Sequence, residues 1–429
     1  MNKVPENIKN EMWQLLETLF PISRSILGPE YQRSLEIISE IIPIKVLEFS
    51  SGSKCGSWTI PKEWKADEAY IADVTGKKIV DLKNNSLHLC QYSQAYKGRV
   101  SREELLKHII THPEQPDAIP LDVAFYRDRW GFCLSQNQMA QLSEPEYDVV
   151  IRTRHYDGKL RVGELYLPGR SKKEILIDAV LSCPSVANNL SGVVVAVYLM
   201  KLLAEQKDRR WSYRLLLTPE TIGPITLGHL SPDKLNNVIG GYTLVNLADM
   251  SDIYHYRKSR QGNTLADQVI SQSLKRSGND FVLEDYDVRT GSCGNEKAYN
   301  SLGLEVPVGS FRRSHLGSYP EYDTSLDDLG FVDQQAMLNS FKVIWQAIEY
   351  LEQARIFKHT FTGEPFLTGY GLFPKIANDR DRLPWDYLMA YTNGRLSLTE
   401  IADRAGLPLE AFDEPVAAML EHGLIKEVK

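Results

Sequence analysis

Three side chains with the chemistry of a nucleophile or an acid–base catalyst lie in predicted loops: Cys183, Glu220 and Asp323. Cys183 stands between a run typical of a buried strand and a run typical of an apolar helix. A helix N-terminus lowers the pKa of a neighbouring thiol, which favours Cys183 as a nucleophile. A nucleophile also needs a base, and His229 and His315 are the nearest candidates along the sequence. The alternative is a buried, unreactive cysteine, because Cys is among the residue types most often buried.

Carboxylates form the second group able to do chemistry. Glu220 lies in the loop Pro-Glu-Thr-Ile-Gly directly after a predicted strand, where burial and neighbouring charges would tune its pKa. A helix-capping or structural carboxylate is the alternative for Glu220. Asp323 and Glu321 lie in a Tyr- and Pro-rich loop, where they either orient a substrate amine or cap Thr324 and Ser325.

Arginines supply a candidate site for an anionic group. Arg257 and Arg260 lie in a cluster of cations and aromatic residues beyond a predicted strand. Guanidinium groups bind carboxylates and phosphates through paired N–H donors, so this cluster would suit an anionic substrate group. A solvated charged loop is the alternative. Arg312 and Arg313 form a second, smaller candidate.

Apolar periodicity places these loops at the edge of a doubly wound α/β core, where ligands bind beyond the carboxyl ends of parallel strands. An N-terminal helix pair precedes this core, and short β-like runs indicate a β-rich inserted domain. A compact three-helix pattern near the C-terminus resembles a winged helix. The predicted strands are 175–177, 213–217, 242–247 and 306–309, and the predicted core helices are 191–203, 265–274 and 334–351.

Six strings in the insert and the core carry a resemblance to a known family. Over nearly its whole length the chain resembles bacterial aminopeptidase-like proteins, whose α/β core is related to the M28 zinc aminopeptidases. The resemblance implies an aminopeptidase-like core at 1–44 and 166–365, a β-rich insert at 45–165 and a winged-helix-like domain at 384–429. The strings are Trp58-Thr59-Ile60-Pro61-Lys62-Glu63-Trp64, Asp117-Ala118-Ile119-Pro120, Arg129-Trp130-Gly131-Phe132-Cys133-Leu134-Ser135, Pro219-Glu220-Thr221-Ile222-Gly223, Pro307-Val308-Gly309-Ser310 and Tyr319-Pro320-Glu321-Tyr322-Asp323-Thr324-Ser325-Leu326-Asp327.

Where this family holds two zinc ions, the chain has other residues. Neutral amides are poor ligands for zinc, so the resemblance implies that the dinuclear site is lost and that the protein needs no metal cofactor. A single zinc held by Cys183, Glu220 and Asp323 is the alternative. The substituted positions are Cys183 for a histidine, Asn188 and Asn189 in a shortened segment without the aspartate, Asn295 for a second aspartate and Asp323 for a second histidine.

Residues and resemblance together predict one working site and a function. The expected activity is metal-independent amide hydrolysis or acyl transfer on a small amino-acid- or sugar-linked metabolite of a biosynthetic pathway. A non-catalytic scaffold and a mononuclear zinc amidase or aminopeptidase are the alternatives. The predicted catalytic residues are Cys183, Glu220 and Asp323, and the predicted substrate contacts are Asn188, Asn189, Arg257, Arg260, Asn295, Glu296, Glu321 and Tyr322.

Charge and composition restrict the partners. A net charge of -7 offers no bulk cationic surface for nucleic acid or anionic lipid, so a small-molecule substrate is expected. Residues 384–429 carry eight acidic residues against four basic ones, which favours a docking or dimerisation module over a DNA-binding one. Neither a signal peptide nor a membrane span is evident, so a cytoplasmic protein is expected. The five cysteines form no Cys-x-x-Cys pair, and disulfides are not expected.

Overall fold

The computed structural model describes residues 3–287, 294–372 and 379–428, and Cys293 lies outside these ranges. The strands, in chain order, are β1 (Lys45–Ser50), β2 (Lys54–Cys55), β3 (Trp58–Thr59), β4 (Glu63–Ala72), β5 (Lys78–Asp81), β6 (Tyr96–Ser101), β7 (Ile109–Ile110), β8 (Phe132–Cys133), β9 (Glu146–Tyr156), β10 (Lys159–Leu167), β11 (Glu174–Val180), β12 (Ser212–Thr218), β13 (Val238–Leu244), β14 (Ile253–Arg257), β15 (Asp280–Glu284), β16 (Val308–Arg312), β17 (Ile356–His359), β18 (Asn393–Ser397) and β19 (Ile425–Glu427). The helices are α1 (Ile8–Leu19), α2 (Pro29–Ser39), α3 (Arg102–Leu106), α4 (Gln136–Ala140), α5 (Ser191–Glu205), α6 (Ile222–Leu230), α7 (Leu265–Ser277), α8 (Asn295–Tyr299), α9 (Gln334–Gln353), α10 (Asp379–Tyr391), α11 (Leu398–Ala405) and α12 (Asp413–Glu421).

An eight-stranded mixed sheet forms the core, in the order β1-β10-β12-β11-β13-β16-β14-β15. The four central strands β12, β11, β13 and β16 are parallel, whereas β10 and β14 run antiparallel to them. Every residue of β11 and β12 is buried, as expected for strands covered on both faces. β11 lies between β12 and β13, so the chain first passes to one side of β11 and then to the other. The loop after β11 therefore lies at the point where the strand order reverses, which is where ligands of such sheets bind.

Alternating side chains of the central strands enter two separate apolar clusters. Ile175 and Ile177 pack with α1, α5, α7 and α9 on one face, while Leu176 packs on the opposite face. The helix α5 is buried along nearly its whole length, and Gly192 lies against the backbone of Leu244, where a Cβ would have no room. The segment Val186–Glu205 is long and apolar enough to cross a membrane, but 94% of its most apolar window is buried in the protein. It is therefore the central core helix.

The β-rich insert is built on a four-stranded antiparallel sheet in the order β5-β4-β9-β6. The predicted insert began at residue 45 and ended at 165, but β1 and β10 pair with each other at the edge of the core sheet. The segment that leaves the core is therefore about 51–158. One of its loops returns to the core through two hydrogen bonds: the Ile119 N–H donates to Ser325 Oγ at 3.1 Å, and the Leu121 N–H donates to the Asp323 carbonyl at 2.7 Å.

The C-terminal tail contains the helices α10, α11 and α12 and a three-stranded antiparallel sheet in the order β18-β17-β19. Its central strand, β17, lies before the predicted start of the domain at 384. The strand belongs to the tail, because its buried Phe357 is part of the tail's own apolar cluster. The tail also contacts the core, since the Ser397 N–H donates to Gln268 Oε1 at 3.1 Å. The winged-helix assignment stays a prediction.

Candidate functional site

The first element of the site is the loop after β11, which places Cys183 at the end of a central strand. Cys183 is 7% exposed, and its thiol donates to Ser185 Oγ at 3.4 Å. Burial, followed by the nearby Asp323 and Glu220 carboxylates, raises the pKa of this thiol to about 12. The Cys183 carbonyl accepts from the fully buried Arg24, whose Nη2 lies 3.0 Å away. Cys183 is thus a protonated, buried thiol at neutral pH.

The turn between Cys183 and α5 is held by a carboxylate. Asp327 accepts from the backbone N–H groups of Val186, Ala187 and Asn188 at 3.2, 2.7 and 3.0 Å. Burial raises the pKa of Asp327 to about 7, and these three donors oppose that shift. Asn189 follows at φ 96°, a left-handed conformation that a non-glycine residue rarely adopts. The turn is therefore a fixed, strained element whose shape depends on Asp327.

The second element is the loop after β12, which carries Glu220. This side chain is partly exposed, whereas its carboxyl group is largely surrounded by protein. Burial, then the charges of Asp323 and Glu296, raise the pKa of Glu220 to about 7. The loop is fixed on both sides: the Glu220 N–H donates to Ser182 Oγ at 3.1 Å, and the Thr221 N–H donates to Asn295 Oδ1 at 2.8 Å. Glu220 is a carboxyl group poised to gain or lose a proton near neutral pH.

Asn295 belongs to a buried network beneath that loop. Its Nδ2 donates to Asp178 Oδ2 at 3.0 Å and to Thr218 Oγ1 at 2.6 Å. Asp178 is completely buried and also accepts from Thr243 Oγ1 at 3.2 Å and from the Tyr299 hydroxyl at 3.0 Å. Burial raises the pKa of Asp178 to about 7. The side chain of Asn295 is therefore committed to neighbouring protein groups, which leaves its predicted contact with substrate without support.

The third element is the loop that carries Asp323, at φ 52°. Its Oδ1 accepts from Asn188 Nδ2 at 3.1 Å, and Tyr322 is a second hydrogen-bond partner. Burial raises the pKa of Asp323 above its usual range, and these two partners oppose the shift. Asp323 therefore lies close enough to Cys183 and Glu220 for its charge to raise their pKa values, and Asn188 contacts it directly.

A second polar cluster lies on β14, β15 and the residues after β16. Glu284 accepts from Arg312 Nη2 at 3.0 Å and Arg257 Nη2 at 3.4 Å through Oε2, and its Oε1 lies 3.2 Å from His255 Nδ1 and 3.0 Å from His315 Nε2. The hydrogen bonds from the two histidines and the charge of Arg312 keep the pKa of Glu284 well below its usual range despite burial. Glu284 is thus held as a carboxylate.

Glu296 connects the two clusters. It is 1% exposed, and its Oε1 lies 3.9 Å from Arg257 Nη1. Burial raises the pKa of Glu296, while Arg312 and Arg257 oppose that effect. Its charge in turn contributes to the raised pKa of Glu220. The site is therefore a continuous polar region with carboxylates at one end and two arginines at the other.

Some predicted site residues lie elsewhere or face other partners. Arg260 is at the surface and pairs with Glu305, so it does not join Arg257. Glu321 is partly exposed, and its backbone carbonyl accepts from Thr324 Oγ1 at 2.8 Å. Asn189 is buried within the strained turn.

Sequence reasoning missed the supporting residues Asp178, Asp327 and Glu284. Asp178 did give a signal, because a lone acidic residue inside the apolar strand β11 requires partners once it is buried. Asp327 lies at the end of one of the six family-like strings, where nothing in the sequence distinguishes it from its neighbours. Glu284 carries no local signal, since its partners come from strands that are distant in sequence.

Two asparagines at positions where the resemblance places changes in the zinc site have protein partners. Asn295 uses its amide hydrogens on Asp178 and Thr218 and its oxygen on Thr221, and Asn188 donates to Asp323. Both groups of the Asn295 amide therefore have protein partners, and neutral amides are poor zinc ligands. The alternative single-zinc set is also not preformed: within the described ranges, Cys183, Glu220 and Asp323 do not bring three ligand atoms within 4.8 Å of one another.

Comparison with known proteins gives matches over nearly the whole chain. A family model described as a domain of unknown function, DUF4910, matches residues 13–354. A Clostridium acetobutylicum protein, provisionally named as a polysaccharide biosynthesis protein with an aminopeptidase-like domain, is 33% identical over 425 residues, which cover 97% of this chain and 96% of that protein.

Solved structures agree with this result. A crystal structure from C. acetobutylicum, provisionally described as a peptidase, superimposes with a TM-score of 0.83 at 30% identity, covering 99% of this chain and 98% of that one. BSAP, a zinc aminopeptidase from Bacillus subtilis, superimposes with a TM-score of 0.59 at 11% identity over 82% of this chain and 96% of its own. At that identity the likeness shows the fold alone, and it confirms the predicted aminopeptidase-like α/β architecture.

Proposed function

We propose a hydrolytic function for this chain, which belongs to the DUF4910 family and has an aminopeptidase-like fold. The proposed reaction is hydrolysis of a small amide without the dinuclear zinc centre of the resembled aminopeptidases. Glu220 is the proposed acid–base residue. The observation that carries the proposal is a partly exposed side chain whose carboxyl group is largely surrounded by protein, and whose pKa is raised to about 7 by burial, Asp323 and Glu296. A general acid–base residue works best when its pKa lies near the working pH.

The proposed reaction is direct attack of water on the amide carbonyl. Ionised Glu220 takes a proton from the water as the new C–O bond forms, and it returns that proton to the nitrogen as the C–N bond breaks. The products are a carboxylic acid and an amine. The negative charge of an ionised Asp323 is one cause of the raised Glu220 pKa. Ionised Asp323 is suited to attract a cationic amine at the substrate's end.

Cys183 is a weaker candidate for the central chemistry than the sequence suggested. A thiol with a pKa of about 12 is almost entirely protonated at neutral pH, and the thiolate is the nucleophilic form. Burial and the charges of two carboxylates raise this pKa. An activated cysteine instead needs a cation or a base beside it. We therefore assign Cys183 to the wall of the site, and acyl transfer through a thioester becomes the second candidate.

The proposed substrate is an amide-bearing sugar derivative, as the polysaccharide biosynthesis named for the C. acetobutylicum relative suggests. A cavity of about 380 Å³ adjoins the Cys183 and Asp323 loops. Hydroxyl and amide side chains make up nearly half of its lining, and such groups can bind the hydroxyls of a ligand. Lys83 and Asp327 add one cation and one carboxyl group to the lining. The hydroxyl and amide residues of the lining are Asn84, Asn85, Ser86, Ser185, Thr324 and Ser325.

The location and partners of the protein are part of the same proposal. A small-molecule enzyme of a biosynthetic pathway is expected in the cytoplasm, without nucleic-acid or membrane partners. The acidic tail is proposed as a docking or dimerisation module, and a homo-oligomer is its simplest form. A scaffold without catalysis is the alternative if no turnover is found.

The test measures amine release from N-acetylglucosamine, N-acetylgalactosaminuronate and leucine p-nitroanilide by full-length protein and by Glu220→Gln and Glu321→Gln variants. We expect turnover of an N-acyl sugar that falls at least about 100-fold in Glu220→Gln and persists in Glu321→Gln, the matched loss of a carboxyl group. Turnover that is equal in wild-type and Glu220→Gln protein would contradict the proposal.

A further inference from the structure

The cluster around Glu284 brings together two imidazoles and a carboxylate from three separate segments. His255 lies on β14, Glu284 ends β15, and His315 follows β16. The ligand atoms of these side chains all lie within 4.8 Å of one another, and the three residues are partly buried. We propose that they form a binding site for one divalent transition-metal ion, with zinc as its best-matched occupant, separate from the positions where aminopeptidases of this fold hold zinc.

The donor distances fit a tetrahedral ion. Tetrahedral zinc with bonds of about 2.0–2.1 Å places its donor atoms about 3.3 Å apart. Glu284 Oε1 lies 3.2 Å from His255 Nδ1 and 3.0 Å from His315 Nε2. These two distances are close to that spacing, and the two histidine nitrogens lie within 4.8 Å of each other, so side-chain shifts would bring all three donors around one ion. Two histidines and one carboxylate also form a donor set used by catalytic zinc sites, in which a fourth position is left for water or a ligand.

The surroundings of the cluster hold the carboxylate in place. Arg257 and Arg312 both donate to Glu284 Oε2, which orients Oε1 toward the two histidines. Metal-ligating carboxylates are commonly held by hydrogen bonds of this kind, and such partners raise affinity by fixing the ligand.

One contact opposes the metal and sets how tightly it can bind. Arg312 Nη2 lies 3.0 Å from His315 Nδ1, and an arginine can only donate, so Nδ1 is an acceptor here. The proton of a neutral His315 is then on Nε2, which donates it to Glu284. When zinc takes Nε2, the proton moves to Nδ1, and Arg312 must turn away. The two positive charges of Arg257 and Arg312 also repel the ion, so we expect micromolar rather than nanomolar affinity.

The cluster is a different place from the Glu220 site. Glu296 lies between the two, close to Arg257 on one side and contributing to the raised pKa of Glu220 on the other. A metal at His255, Glu284 and His315 would lower the pKa of a water molecule in its fourth position and would add positive charge beside Glu296. Metal binding by this cluster does not require hydrolysis by Glu220, so it can be measured without a substrate.

The experiment titrates ZnCl₂ into full-length, chelator-treated protein by calorimetry and records the visible spectrum of the Co²⁺ form. We expect one ion per chain and a tetrahedral Co²⁺ spectrum. His255→Ala and His315→Ala should each weaken binding by at least about 10-fold. The control His422→Ala removes an exposed histidine in the tail, and Cys183→Ser removes the thiol at the family's zinc position; both should bind as the wild type does.

Two further measurements distinguish a lost ligand from a misfolded protein. Circular dichroism and thermal melting of each variant show whether the fold is kept, and Glu284→Gln keeps the shape of the side chain while removing its charge. Weaker binding by a folded Glu284→Gln protein supports the site. Absence of one-to-one binding in the wild type, or binding that survives in both His255→Ala and His315→Ala, would overturn it. Binding that is lost only in Cys183→Ser would place the ion at the aminopeptidase position instead.

Discussion

Asn295 donates to both carboxylate oxygens of Asp178, at 3.3 and 3.0 Å, in a completely buried position beneath the Glu220 loop. Its own Oδ1 accepts from the Thr221 N–H at 2.8 Å, and Thr221 has a φ of 56°, which costs conformational energy. The pair thus connects the centre of the sheet to a strained loop. An amide is required at position 295 because Asp178 needs a donor there, whereas a second carboxylate would repel it.

Asn295→Asp should therefore destabilise the protein by about 3 kcal/mol or more, because it places two carboxyl groups together in a buried site. Exchange of the two residues, Asp178→Asn with Asn295→Asp, restores one donor facing one acceptor. We expect the double variant to recover at least about 1 kcal/mol relative to the sum of the single changes. Chemical denaturation of the four proteins measures this coupling, and strictly additive losses would show that the contact is unimportant.

Glu220→Gln should stabilise the protein in a pH-dependent manner. The pKa of Glu220 rises from 4.5 to about 7 on folding, so between these values the native state holds a proton that the unfolded state has released. This contribution to the free energy of unfolding is present below about pH 4.5 and is lost as the pH rises to about 7. Glutamine removes the effect. The variant should therefore gain up to roughly 3 kcal/mol over the wild type between pH 5 and pH 8.

Urea denaturation at several pH values measures this difference in the free energy of unfolding. Asp178 and Asp327 also have raised pKa values, but both proteins keep these residues, so their contributions cancel in the difference. Glu321→Gln is the matched control and should follow the wild-type pH dependence. A Glu220→Gln gain that is the same at pH 5 and pH 8 would mean that Glu220 is already ionised at pH 5.

The fold was accessible from sequence because its signals are local. The buried helix α5 and the strands β11 and β12 follow from apolar runs whose lengths and flanking residues distinguish helix from strand. The insert boundary was harder to locate, since β1 and β10 have the short, mixed composition of the insert but pair at the edge of the core sheet. Strand pairing between residues that are distant in sequence decides that boundary, and composition does not report it.

The site was only partly accessible for the same reason. The loops with Cys183, Glu220 and Asp323 were identified, and the structure brings them together. The role of Asn295 could not be seen, because it depends on Asp178 more than a hundred positions away. The Glu284 cluster was missed since His255 and His315 show no metal-binding spacing along the chain. Burial decides the state of Cys183, and the loop sequence alone suggested a more reactive thiol than the structure supports.

Cys183→Ser should leave amide hydrolysis within about threefold of the wild-type rate, because the serine hydroxyl keeps the hydrogen bond to Ser185 and the site's acid–base group is Glu220. A thiol-directed reagent such as iodoacetamide should likewise react slowly with native protein at pH 7, since the thiol is buried and protonated. Steady-state rates and mass spectrometry of the alkylated protein measure the two effects. Loss of activity in a folded Cys183→Ser protein would favour the thioester mechanism.

Removal of the tail should depend sharply on where the chain is cut. Truncation at 383 leaves β17 without its partners β18 and β19 and exposes Phe357 and Leu367, which are buried in the tail's apolar cluster. An unpaired strand beside exposed apolar side chains promotes aggregation. Truncation at 354, where the family match ends, removes β17 as well and should yield more soluble protein with a cooperative melt. Soluble yield and thermal melting compare the two, and equal solubility would show that the tail's apolar cluster does not depend on β17.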